Sequence, residues 1–244
     1  MNTPTNWREW IKAGILLGLA LYLALLMLGG KLDNYINVRF QWLTIVAILI
    51  LSGLGLWSAW QLFKADNLAR QHDVGDYQHA RVSGWSLSLL IVPLAFGVLF
   101  PSRPLDVNAV QSVSLAAIGG GRASASIAPQ DRNILDWLRE INRVDNPASF
   151  NGQPVDLIGF IYREPDMPAD QFMVARFTVS CCVADAFAIG LPVQLEGAEQ
   201  YATGAWVRLR GALQVGQFRG QTMPIIRPQQ VEEIPQPDSP YLYG

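Results

Sequence analysis

Charge is scarce in this sequence. Only 16% of its 244 residues are Asp, Glu, Lys or Arg, against 50% hydrophobic, and the formal net charge is -2. Residues 101–244 contain no Lys at all, and their eleven Arg face fifteen Asp plus Glu, a net of -4. Such a surface does not draw a phosphate backbone, so a nucleic-acid partner is excluded. Histidine and cysteine are equally rare, two of each. The cysteines lack Cys-x-x-Cys spacing and have no His beside them in sequence, so the usual thiol-redox and Cys–His arrangements are missing. Long apolar runs are nearly absent outside residues 11–100, a distribution that reads as a membrane protein with a soluble tail.

Three spans are expected, over about 11–30, 42–63 and 84–100. The first, Ile11 to Leu28 and onward, is long enough to cross a hydrocarbon core of about 30 Å as a helix. It exceeds a signal-peptide h-region and no small-x-small cleavage pattern follows Gly30, so it reads as retained. Gly14 and Gly18 form a small-xxx-small pair that lets a second helix approach. Tryptophans 42, 57, 60 and 85 stand near span ends, as interfacial side chains do, and Pro93 predicts a kink in the third span. Arg8, Lys12, Lys64, Arg70 and Arg81 fall on one side of such a topology, and Lys31, Arg39 and Arg103 on the other. That imbalance predicts a cytoplasmic N-terminus and an extracytoplasmic C-terminal domain. No span has an ionisable residue in its middle, so the chain is not equipped to transport a charged solute alone; the helices read as an anchor in the lipid bilayer or a surface for a partner. His72, Asp76 and His79 in the second loop would share a helical face and could hold a metal, but Gly75 interrupts that helix, and an ordinary polar loop is the simpler reading.

Pro, Ser, Ala and Gly dominate residues 101–130, which read as a flexible linker. The soluble domain is expected over 131–235, with a tail at 236–244. It opens with an amphipathic helix: Ile134, Leu138 and Ile141 recur at helical spacing beside Leu135 and Trp137, with Asp131 as N-cap and Asn146-Pro147 at the end. The period then changes to that of strands. Residues 154–162, the run that ends at Cys181, and residues 188–195, 206–215 and 223–234 are five strand candidates, which suggests a small OB-like barrel with one preceding helix. Gly159 and Gly211 sit inside strong strands, where barrel closure calls for a bend or bulge.

The second strand carries the chemistry. Met173, Ala175, Phe177 and Val179 alternate with Val174, Arg176, Thr178 and Ser180, so one face should point inward and the other outward. The strand stops at adjacent Cys181 and Cys182, with Asp185 three residues on. A disulfide between neighbours is disfavoured, because adjacent Cα atoms lie about 3.8 Å apart and ordinary disulfides need about 4.4–6.8 Å. Thiol redox catalysis ranks below metal binding. Two thiolates and a carboxylate give Zn²⁺ or another thiophilic ion an incomplete site, with room for a solute, a water or a ligand from another subunit. The plain alternative is that both are small residues packed at a tight strand end. Arg176 is a candidate to orient Asp185 or an anionic ligand.

The helix with Trp137, then Asn151-Gly152, Gly159-Phe160, Ala175-Arg176-Phe177, Cys181-Cys-Val-Ala-Asp-Ala186 and Gly190-Leu191 resemble the YcgQ-like family of bacterial membrane proteins. The resemblance covers most of residues 131–234, with Cys-Cys-x-x-Asp as its most specific part. It implies a location in the bacterial cell membrane and a companion role beside a larger, separately encoded permease. The expected function is therefore an accessory subunit that presents Cys181, Cys182 and Asp185, with Arg176 nearby, to a metal ion or thiol-reactive ligand. A membrane-tethered thiol oxidoreductase and a purely structural scaffold are the alternatives.

Overall fold

A computed structural model describes residues 7–69, 91–92, 95–97, 99–100, 103–115 and 127–243. The chain divides into two compact units, Met1–Arg103 and Pro104–Gly244. In the first, α1 (Trp7–Leu28) and α2 (Gln41–Ala69) flank a turn that starts at Gly30, whose φ of 65° is left-handed. Their apolar stretches, Glu9–Leu28 and Val38–Lys64, are 20 and 27 residues long, enough for each helix to cross a membrane. Trp10, at the start of α1, meets Phe63, near the end of α2, edge-on at 4.8 Å, so the helices run antiparallel. The expected third span, 84–100, and the His72–Asp76–His79 loop fall largely or wholly outside the described residues. Within them, the Tyr22 hydroxyl of α1 donates to the Gly97 carbonyl at 2.9 Å.

Of the Gly14–Gly18 pair, Gly14 is not where α1 meets α2. A Cβ on Gly14 would have nothing within 4 Å, whereas one on Gly55 of α2 would lie 2.8 Å from the Leu17 side chain and 3.5 Å from the Ala13 carbonyl. One residue is about 100° of helix rotation, and that places Ala13 in the contact and Gly14 outside it.

The second unit is a five-stranded barrel with additions. Its helix, α3 (Ile134–Arg143), begins two residues later than Asp131 suggests. Asn133 is the N-cap: its side chain accepts from Asp136 N at 3.1 Å, and Asp136 accepts from Asn133 N at 3.3 Å. The barrel strands are β2 (Pro154–Tyr162), β3 (Gln171–Val179), β4 (Phe187–Gln194), β5 (Trp206–Phe218) and β6 (Gln221–Glu233). β2 pairs antiparallel with β3 and β5, β3 with β4, and β5 with β6; a parallel contact between Val193 and Ile226 closes the ring. Both expected glycine positions matter. A Cβ on Gly159 would sit 2.6 Å from the Ala175 carbonyl, and the register of β5 on β6 shifts between Arg210 and Gly211, where a Cβ would lie 2.2 Å from the Arg227 carbonyl.

The domain is wider than residues 131–235. Val113–Ser114 forms a short strand, β1, parallel to β4, and Tyr241–Tyr243 forms β7, parallel to β3. The reason lies in β3, which does not present one dry and one wet face: Phe172, Met173, Val174 and Ala175 are all fully buried. Phe172 and Val174 join Trp137, Leu138 and Leu209 in the main core. Met173, Ala175, Phe177 and Val179 build a second core with Val113, Phe218, Ile225 and Tyr241. An apolar outer face of that size needs a cover, and parts of the expected linker and tail supply it. Leu105 N donates to the Tyr241 hydroxyl at 2.8 Å and joins the two covering segments.

Candidate functional site

The barrel opens beside the cysteines. β3 leaves β2 after Ala175 and continues through Phe177–Val179 on β7, while β4 begins at Phe187 with β1 alongside Ala188–Ile189. The turn between them therefore lies at the end of a β3–β4 arm braced on both sides. Val183–Asp185 forms a single helical turn, with Asp185 N donating to the Cys182 carbonyl at 3.0 Å.

Asp185 closes this turn on itself. Oδ1 accepts from Ser180 N at 2.9 Å, and Oδ2 accepts from Cys181 N at 2.7 Å and from Cys182 N at 3.4 Å. Burial works against the carboxylate's charge, but the hydrogen bonds from the Cys181 thiol and from these three N–H groups outweigh it, and its pKa falls below the usual carboxylate range. The sequence spacing predicted a ligand; the fold gives Asp185 a second task as the clasp of the loop.

Neither cysteine is disulfide-bonded and neither is fully packed away: Cys181 is exposed and Cys182 half-buried. This overturns the packed-cysteine alternative for Cys181. The sulfurs are 3.8 Å apart, too far for a disulfide. Hydrogen bonding to Asp185, then to Cys182, pushes the Cys181 thiol up to about 11, so at neutral pH it keeps its proton. The two sulfurs and a carboxylate oxygen of Asp185 all lie within 4.8 Å of one another. A tetrahedral ion with Zn–S bonds of about 2.3 Å separates two sulfurs by about 3.8 Å, so the thiols already stand at a suitable spacing.

Arg176 is not brought to this cluster. Its Nε donates to the Pro240 carbonyl at 3.1 Å, its Nη2 donates to the Ser239 carbonyl, and the guanidinium lies over the Trp206 ring at 5.7 Å. It fastens the segment leading into β7. The flanking roles of Val113 and Tyr241 have no sequence signal, because strands of two and three residues show no periodicity.

Two domain families match the chain: the DUF1980 N-terminal domain over residues 11–115 and the DUF1980 C-terminal domain over residues 111–244. Among full-length relatives, a Streptococcus mutans protein named "Putative two-component membrane permease complex subunit" is 24% identical, over 89% of this chain and 93% of its own. The UPF0703 protein YcgQ of Bacillus subtilis is also 24% identical, over 94% of this chain and 97% of its own. Among solved structures, a small single-stranded DNA-binding protein from Streptomyces coelicolor aligns with 34% of this chain and 94% of its own, at 13% identity and a TM-score of 0.24, too low to bear on fold or ligand.

Proposed function

The chain belongs to the DUF1980 family, and on that premise we propose that it is a membrane-anchored accessory subunit of a two-component permease complex, whose OB-like barrel presents Cys181, Cys182 and Asp185 to a thiophilic metal ion. Support for the permease assignment comes from the name of the Streptococcus mutans relative, which this chain matches over 89% of its length. The apolar helices α1 and α2 anchor the chain in the bacterial cell membrane, and the inferred third span over 84–100 lies largely outside the described residues. Five basic residues against three on the two sides favour a cytoplasmic N-terminus and a barrel outside. A reporter fused after residue 120 that is active only in the cytoplasm would reverse this orientation.

The observation that carries the metal reading is the spacing of two accessible sulfurs, 3.8 Å apart, beside a carboxylate. The thiol-oxidoreductase alternative is the weaker one, because a Cys181 held near 11 is mostly protonated at neutral pH and attacks slowly. Metal binding displaces that proton, so affinity should fall with pH. The test is elemental analysis of the full chain, purified in detergent under reducing conditions and equilibrated with Zn²⁺. We expect about one zinc per chain, and none in the double variant Cys181→Ser/Cys182→Ser. Equal metal content in the two proteins would end the metal reading.

A further inference from the structure

We propose that the Cys181–Cys182–Asp185 loop is a hand-over site: it binds a thiophilic d¹⁰ cation, with Zn²⁺ as the type, in an open coordination shell and passes it directly to an incoming ligand. The inference rests on the metal reading above and specifies what the site does with its ion. Sites that hold zinc for structure enclose it with four protein ligands, and the fold depends on them; sites that do chemistry on zinc leave a position open. Among the described residues this loop is the one place that gathers three Cys, His, Asp or Glu donors. Three donors leave a tetrahedral ion at least one further bond to make. Cys181 is exposed, so an incoming ligand can reach that position from solvent.

The loop is also held by the protein's own groups. Asp185 ties Ser180 N and Cys181 N at 2.9 and 2.7 Å, and β7 and β1 hold the strands that enter and leave the turn. Losing the cation therefore does not require unfolding. The same hydrogen bonds occupy part of the Asp185 carboxylate's acceptor capacity, so the two thiolates make the stronger bonds to the cation. In the transfer, the incoming ligand first bonds to the cation. The two metal–sulfur bonds and the bond to the Asp185 carboxylate then break; each sulfur keeps its electron pair and takes up a proton from the buffer, the carboxylate stays ionised, and no atom changes oxidation state.

The experiment uses the full chain in detergent, loaded with Zn²⁺ and mixed in a stopped-flow instrument with increasing excess of the chromogenic chelator 4-(2-pyridylazo)resorcinol. We expect the transfer rate to rise in proportion to chelator concentration, and the far-ultraviolet circular dichroism to be the same before and after. A rate independent of chelator concentration would mean that the ion leaves first, and it would overturn the proposal; so would loss of β signal on zinc removal. X-ray absorption on the loaded chain should show two sulfurs at about 2.3 Å with oxygen neighbours. A closed shell containing imidazole from His72 and His79 would overturn it as well. A chain that takes up no zinc defeats the metal reading itself, a failure visible before any transfer is timed.

Discussion

Replacing Asp185 with Asn should make Cys181 more reactive, although the change adds no base. In the native loop the carboxylate accepts the thiol's hydrogen bond and opposes its ionisation, and with smaller contributions from Cys182 and desolvation this pushes Cys181 from an ordinary value near 9 up to about 11. At pH 8 that leaves roughly one thiolate in a thousand, against roughly one in ten for an unperturbed thiol, so removing the charge raises the thiolate population up to about a hundredfold. The less basic thiolate is also a poorer nucleophile, by about eightfold over the same interval at a Brønsted slope near 0.45, so the net gain is up to about tenfold. The assay is iodoacetamide alkylation of the full chain in detergent with chelator present, read by mass spectrometry of the peptide carrying both cysteines. The variant's rate should level off at a lower pH than that of the native protein, by up to about two units. Asn keeps one oxygen to accept from the backbone, and the alkylation rate of Cys182 in the same digest reports any loosening of the loop. A Cys181 rate equal to or below that of the native chain would refute the argument.

Asp156 accepts Arg208 at 2.7 and 2.8 Å and Arg210 at 3.1 Å on the barrel surface, so Asp156→Asn should cost about 1 kcal/mol in thermal unfolding, a modest loss because the groups are partly exposed. The bond from Arg208 lowers the folded-state pKa of Asp156, so this contribution is present above its unfolded value near 4 and disappears as pH falls through the lower folded value; a native–variant difference in melting temperature that grows on acidification would contradict it. Gly211→Ala puts a Cβ 2.2 Å from the Arg227 carbonyl, and the strand must shift at a cost of about 1–3 kcal/mol, so an unchanged melting curve would show that the bulge is not rigid.

The elements that declare themselves in the sequence are those with enough length to show a period. The two apolar helices, α3 with its stripe of Ile134, Leu135 and Leu138, and the five barrel strands all appear where residue pattern places them, within a few residues. The bends at Gly159 and Gly211 were legible for a related reason: glycine inside a strong strand has no packing value of its own, so it marks a close backbone approach. The hairpin of β5 and β6 runs longer than expected because Arg219 and Gly220 make a two-residue turn with φ of 49° and 74°, and an arginine there carries no turn signal.

By itself, then, the sequence determined the local order: apolar helices, one amphipathic helix, five strands, and two cysteines and an aspartate within five residues. It could not say that β3 is buried on both sides, because burial of the second face depends on Val113 and Tyr241, distant in the chain and in strands too short to predict. It could not place Arg176, whose partners are the carbonyls of Ser239 and Pro240, some sixty residues away. Nor could it give Asp185 its second role, since a carboxylate becomes the clasp of a loop only when the backbone turns three N–H groups toward it. Periodicity is a property of neighbours along the chain. Covering an apolar face, docking a guanidinium and raising a thiol's pKa depend on neighbours in space, and those the tertiary structure decided.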